Sequence, residues 1–513
     1  MRYCLTLAFL AFNVFCLFSQ TIGFTQKTIA SGLSLLRDVK TADMDGDGDL
    51  DILVTRGGAV DWFKNLDSKG TFSSTPVTVG VIFNANVAVA ADIDGNGTMD
   101  VVVGAGSTSS NSEVAIFKNL DTLGTTFSAK ITLTTLGDEI RDVIAADFDG
   151  DNDLDIVYAS YDTDQLMFLR NTDGQGTFSA PVVYSAGNGV RFLAVADVDS
   201  DNDPDIFASA YFPLSSGQFS LYRNSDGQGA FVYSAINNLD GNNASDIAVA
   251  DLDGDSDVDL VGTMLSSDRI YWYKNLDGAG MFSGRIAVSA DFNGPYTVNI
   301  ADIEGDGDND LIVASEVDNK LGYLLNDGQG VFGTAITIPS VLNFLNASFN
   351  ASRLIASADI DKDGDMDIIA ISPGNNQLVW FKNAPPLSYS QQVTLPLCHG
   401  DATGAIYLSV SGGEPPYTIS WADSTLQGDT LIGLPAGLYT VTIAESGGSQ
   451  VVNTIEITQP DSLLLQLQAS GTPSNLSLGI AVASAEGGTS PYQFLWNTAA
   501  ASDSITGLEP GTY

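Results

Sequence analysis

Histidine is almost missing from this chain: one residue in 513, His399, with none ahead of it. Its absence removes the usual general base from the first three-quarters of the sequence, and no nucleophile-elbow or metalloprotease motif is present either. Cysteine is nearly as scarce. Of three, Cys4 and Cys16 lie in an N-terminal apolar run, and Cys398 alone can form no internal disulfide. Stability outside the cell must then come from packing and bound metal. Basic residues number 20 against 63 acidic, a net charge of −43. With no basic stripe to neutralise phosphates, nucleic acid is not an expected partner. Long apolar runs are confined to Leu5–Phe18, behind Arg2. That run is short for a membrane span and reads as a signal peptide, residues 1–19, cut near Ser19 or Gln20. No lipid-attachment cysteine follows small residues there, so the expectation is a soluble exported protein without membrane insertion.

What the chain has in excess is carboxylate at fixed spacing. Asp43 to Asp51 reads DMDGDGDLD and runs into Ile52, Leu53 and Val54. Carboxylates this close repel one another by about 1 kcal/mol per pair in water, and several-fold more near a protein surface. A bound dication removes that cost. The spacing suits calcium, which takes about six to eight oxygens at roughly 2.3–2.6 Å. Asp43, Asp45 and Asp47 fill positions 1, 3 and 5, Gly48 makes the turn at 6, Asp49 offers its carbonyl at 7 and Asp51 closes at 9.

The loop occurs seven times. The further copies supply Asp92, Asp94, Asn96, Thr98 and Asp100; Asp147, Asp149, Asp151, Asp153 and Asp155; Asp197, Asp199, Asp201, Asp203 and Asp205. Then come Asp251, Asp253, Asp255, Asp257 and Asp259; Asp302, Glu304, Asp306, Asp308 and Asp310; Asp359, Asp361, Asp363, Asp365 and Asp367. Up to seven calcium ions are expected, more weakly held at the second copy, which keeps three carboxylates. Position 6 is Asn152, Asn202 and Ser256 in three copies; asparagine tolerates a left-handed turn and serine does so less readily. The seven loops contain 33 of the acidic residues, so the acidity reads as metal capacity and not as a disordered tail. The ions are read as structural staples and not as catalytic centres.

Loop starts are 49, 55, 50, 54, 51 and 57 residues apart, a period at the upper end of that of propeller blades. Each repeat has an apolar strand before the loop, such as Val87–Ala91, and another after it, such as Ile156–Tyr158. Such runs fit strands covered on both faces. A third strand ends in two apolar residues, a basic residue and an asparagine, as in Trp62-Phe63-Lys64-Asn65; the sixth copy, Tyr323-Leu324-Leu325-Asn326, loses the basic residue. The fixed position of the aromatics predicts blade packing. A turn such as Asp173-Gly174-Gln175-Gly176 then leads to a fourth strand opened by Phe72, Phe127, Phe178, Phe231, Phe282 or Phe332. Four strands per repeat make a propeller blade. The seventh third strand meets Ala384-Pro385-Pro386 instead, while Gly23-Phe24 lies 19 residues ahead of Asp43, as Phe178 lies 19 ahead of Asp197. Proline cannot continue a ladder, so the mature N-terminus is expected to complete the last blade and latch the ring.

These loops with their flanking strands, and the KNxDGxGxF turns, resemble the FG-GAP/VCBS repeat family and are similar to the calcium-binding blades of integrin alpha-chain propellers. The resemblance covers roughly residues 23–383. It implies calcium on one face of the ring and a structural or adhesive role. Beyond a proline-containing linker at 384–388, Ser411-Gly-Gly-Glu-Pro-Pro-Tyr417 to Trp421 returns 75 residues later as Glu486-Gly-Gly-Thr-Ser-Pro-Tyr492 to Trp496. These segments resemble the SprB-type repeats of bacterial gliding and surface adhesins, which implies a stalk. They are read as Ig-like β-sandwich repeats at 389–460 and 461–513, the second stopping in mid-module; Cys398 is read as a buried thiol and His399 as incidental. The expected fold class is thus all-β: a seven-bladed β-propeller followed by tandem sandwiches.

Six residues before the loop aspartate stand Arg37, Arg141, Arg191 and Arg353, with Asn86, Ser245 and Tyr296 in the other copies. Six residues of strand span about 20 Å, which puts these side chains at the far end of the innermost strands. Converging there they would form an anion site; alternatively they pair with nearby acids such as Asp138, Glu139 and Asp142. The insert at Val341–Ala351 ahead of the seventh loop is a further candidate for a binding face. The function read from all this is a secreted or cell-surface bacterial calcium-binding adhesion module: a monomeric head on a repeat stalk, with an extracellular glycan or surface protein as partner. The competing readings are a polysaccharide lyase, with Tyr296 as its candidate base, and a purely structural surface component.

Overall fold

The computed structural model describes residues 22–107, 110–211, 218–236, 243–344, 351–384, 386–413, 415–445, 450–471 and 478–513. Residues 1–19, expected as a signal peptide, and most of the insert before the seventh loop lie outside the described residues. Within them no α-helix occurs, and the chain divides into two compact units between Asn383 and Ala384.

In the first unit, one blade consists of Leu36–Ala42, Asp51–Arg56, Ala59–Phe63 and Val77–Val81, side by side in chain order. Six more four-stranded sheets follow among the described residues. The innermost strand of each lies against that of the next, and Ile355–Ala358 of the last lies against Leu36–Ala42 of the first. The sheets therefore close into a ring of seven, a β-propeller.

The latch sits where the proline argument places it. Phe24–Ser31 pairs antiparallel with Gln377–Asn383, Phe24 opposite Asn383, just as Phe72 stands opposite Asn65 and Phe231 opposite Asn224. One detail differs from expectation. In blades one, two, three, five and six the phenylalanine makes an isolated bridge, and the fourth strand begins only at Val77, Ile131, Val182, Ile286 and Ile336. A local knot explains the delay: the Ser73 N–H donates to the Lys64 carbonyl at 2.8 Å while the Ser73 hydroxyl accepts from the Lys64 N–H at 3.2 Å.

Second strands such as Asp155–Ser160 and Asp367–Ser372 are buried along their whole length, because a blade is covered on both faces. The apolar core accordingly lies between blades. Leu53, Trp62, Val101, Val103 and Phe117 join blades one and two; Phe207, Phe219, Leu260 and Tyr273 join four and five. Each large apolar side chain so buried contributes about 1.5–3 kcal/mol. The third-strand aromatics are consumed by this packing, Trp62 and Trp380 included.

In the second unit, Ser388–Thr394, Gly404–Ser411 and Thr430–Leu434 form one sheet, and Thr418–Trp421, Gly437–Ala444 and Gln450–Ile457 form another. They enclose Ile406, Trp421, Val441, Ile443 and Ile455, a sandwich. The following repeat differs from expectation: its described residues form one three-stranded sheet, Leu464–Ser470, Gly479–Glu486 and Ser504–Leu508. Gln493–Trp496, the counterpart of Thr418–Trp421, is not a strand. In the first repeat that strand is held by Gly437–Ala444. Cys398, expected as a buried thiol, is exposed; the neighbouring His399 Nδ1 lies 3.0 Å from the Pro460 carbonyl oxygen.

Candidate metal centres

Each acidic loop hangs between the first and second strands of its blade, so strand ends fix its two termini. Position 9 opens the second strand and is fully buried. Asp51 Oδ1 accepts the Asn65 N–H at 2.7 Å and Oδ2 accepts the Met44 N–H at 3.0 Å, tying third strand, loop and second strand at one carboxylate. The same pair of bonds recurs at Asp155, Asp205, Asp259, Asp310 and Asp367. Burial pushes these carboxyls up, to about 7 for Asp51 and Asp155 and about 8 for Asp367, against the pull of the amide bonds.

Position 1 gathers the loop backbone. Asp302 accepts the N–H groups of Gly305, Asp306 and Gly307 at 2.7–3.1 Å; Asp147 accepts those of Gly150 and Asn152. That curl needs left-handed residues at two places. Position 6 is left-handed at Gly48, and Asn152, Asn202 and Ser256 all take φ near 70° there, so serine does adopt the turn. Position 4 is left-handed as well, at Gly46, Ser200 and Lys362 among others, a requirement the sequence reading missed although glycine recurs at that place.

Position 3 is where the arrangement needs a ligand. Oδ1 of each of Asp45, Asp94, Asp149, Asp199, Asp253 and Asp361 is buried without a hydrogen-bond partner. In four loops the oxygens of positions 1, 3 and 9 lie within 4.8 Å of one another: Asp43 with Asp45 and Asp51, and likewise the sets beginning at Asp92, Asp147 and Asp197; in the fifth, Asp251 groups with Asp253 and Asp255. A buried anionic oxygen left unpaired costs several kcal/mol, and converging hard oxygens fit a calcium-sized dication. The residues that would hold it are positions 1, 3, 5 and 9. Position 7 side chains turn away: Asp153, Asp203, Asp257 and Asp308 lie over Gly174, Gly227, Gly278 and Gly328 of the following turn, which leaves only a main-chain carbonyl, as expected for that position.

The basic residue of the third strand, whose role the sequence left open, pairs with position 3. Lys64 bonds Asp45 and, at 2.8 Å, Asp47; Lys118 lies 3.1 Å from Asp94, Arg170 2.6 Å from Asp149 and Arg223 3.2 Å from Asp199. Lys274 bonds Asp253 and Asp255, and Lys382 bonds Asp361 and Asp363. Its recurrence in six copies was the available signal.

The four arginines are engaged inside the ring. Arg353 lies 3.0 Å from Asp142 and 3.5 Å from Asp246. Arg141 pairs with Glu139, Arg37 donates to the side chains of Asn84 and Asn86, and Arg191 donates to the Tyr296 hydroxyl at 2.7 Å. Arg141 and Arg191 are buried, and pairing with acids, the alternative weighed above, is seen at Arg141 and Arg353. Tyr296 is buried too, donates to the Ala351 carbonyl, and is pushed up by burial to about 12. It does not meet the needs of an accessible base.

Comparison with known proteins gives the class. The model of the FG-GAP-like repeat matches residues 43–103, 147–208 and 302–370, and that of the SprB repeat matches residues 390–426. The propeller thus contains FG-GAP-like repeats, and a SprB repeat follows it. No curated protein sequence matches it. Among solved structures, BBS1N in complex with ARL6DN, soaked with mercury, is 14% identical with a TM-score of 0.48, covering 71% of this chain and 97% of that one. The BP39L lectin from Burkholderia pseudomallei is also 14% identical, with a TM-score of 0.48, covering 69% and 98%.

Proposed function

We propose that the chain is a secreted or surface-displayed adhesion protein whose propeller head is stabilised by calcium and binds an extracellular glycan or surface protein. The observation that carries the calcium reading is the set of buried, unpartnered position 3 oxygens facing positions 1 and 9. A dication there would offset the mutual repulsion of each loop and draw the first and second strands of the blade together. The FG-GAP and SprB repeats support an extracellular, adhesive setting. The test is incubation of the full chain with a panel of acidic polysaccharides in calcium and in chelator. Calcium-dependent retention of chains of unchanged length supports an adhesive head. Shortened chains would make it an enzyme, and no saturable binding to glycan or surface protein would leave a purely structural component.

A further inference from the structure

The seven loops do not carry the same charge. Loops three, four, five and seven have five carboxylates and one paired cation, from Arg170, Arg223, Lys274 and Lys382. Loop two has three carboxylates and Lys118.

Loop one has two cations. Besides Lys64, it receives Lys362, which belongs to position 4 of loop seven and reaches across the seam of the ring to Asp49 Oδ1 at 2.8 Å. Lys362 has the left-handed φ of position 4, 57°, and its ammonium lies near Gly48, at the turn of loop one.

Loop six has no cation among the described residues: Leu325 replaces the basic residue, and the longer Glu304 stands at position 3. This double change leaves five carboxylates without a paired ammonium or guanidinium group. A unit charge about 6 Å from a dication changes affinity roughly tenfold even at the dielectric constant of water, and loops of this kind tune calcium affinity through ligand charge.

We propose that loop six is the first of the seven to take calcium, and that Lys362 is a tethered counter-ion that weakens calcium binding at loop one. Resting on the calcium reading above, this orders the sites: loop six fills first, loops three, four, five and seven follow, and loops one and two fill last. At the seam Lys362 holds Asp49, whose side chain is not among the calcium ligands, and its charge opposes calcium at positions 1, 3, 5 and 9 of loop one, so the join between blades seven and one has a cation of its own when calcium is scarce.

The test is calorimetric titration of the full chain with calcium, for the wild type and four variants. Glu304→Gln should weaken the tightest binding event roughly tenfold or remove it, and Leu325→Lys should weaken it roughly tenfold. Lys362→Ala and Lys64→Leu should each make one weak event roughly tenfold tighter. Lysine already occupies the place of Leu325 in four other blades and Lys362 is half exposed, so folding is retained, with thermal unfolding as the check. Uptake of no calcium at all overturns the parent reading. Calcium uptake with the tightest event unchanged in Glu304→Gln and Leu325→Lys, or the weak events unchanged in Lys362→Ala, overturns the order alone.

Discussion

Asn65 Nδ2 donates to the carbonyl oxygen of Ile360 at 2.9 Å, joining residues 295 apart in sequence across the seam between blades one and seven. The bond repeats around the ring. Asn119, Asn171, Asn224, Asn275, Asn326 and Asn383 donate to Met44, Ile93, Phe148, Val198, Leu252 and Ile303, each at position 2 of the preceding blade's loop. The N–H of each same asparagine binds position 9 of its own loop. Each of these asparagines therefore connects two acidic loops, its own by the main chain and its neighbour's by the side chain.

Removing one such amide leaves a buried carbonyl oxygen without its donor. Asn65→Ala is expected to destabilise the calcium-free chain by about 1–3 kcal/mol, and Asn224→Ala, within the ring at a 2.7 Å bond, by a similar amount. Urea unfolding followed by tryptophan fluorescence measures both. Unchanged midpoints would remove the asparagine from the account of how blades are held.

Glycine at position 262 has a different cause from the turn glycines, since its φ is not left-handed and the Phe219 ring of the preceding blade closes on its Cα. A methyl group there has no room. Gly262→Ala is expected to cost about 1–3 kcal/mol through overpacking, whereas Gly284→Ala, which meets nothing within 4 Å, should leave stability within about 0.5 kcal/mol of the wild type. Equal midpoints for the two variants would contradict this packing between blades four and five.

The pH dependence has a definite sign. The position 9 carboxyls are raised by burial to between about 6, as at Asp205, and about 8, as at Asp367, and buried Asp38 is raised to about 6. An unfolded aspartate ionises near pH ~4. Between those values the folded chain holds protons that the unfolded chain has released, so the stability of the calcium-free propeller falls as pH rises from about 5 to about 8. Asp121, lowered to about 2 by hydrogen bonds from Thr125 and Thr126, loses its contribution only below that window. Denaturation midpoints in metal-free buffer at pH 5 and pH 8 decide it; a higher midpoint at pH 8 would contradict the burial argument.

The ring was legible because its evidence is local and repeated. A loop recurs seven times, and a displaced phenylalanine, Phe24, reports by its spacing from Asp43 which strand it completes. The side chains that hold blades together were not legible, because their partners are fixed only by closure. Asn275 meets Val198 in the blade before it, and Arg353 meets Asp142 and Asp246 from two other blades; the spacing in sequence names neither. The same holds for Lys362, which lies in loop seven and acts on loop one. Offsets along a strand located the arginines at one end of the innermost strands, but whether they face solvent or one another depends on the convergence of seven strands. There burial and pairing prevailed.

The most direct measurement is bound calcium per chain, by equilibrium dialysis and elemental analysis, with melting temperature recorded on the same samples before and after chelation. The expected result is saturable binding of several ions, up to seven, with a melting temperature that falls when they are removed. A chain that retains no calcium, and melts at the same temperature in chelator as in millimolar calcium, would contradict the account at its centre.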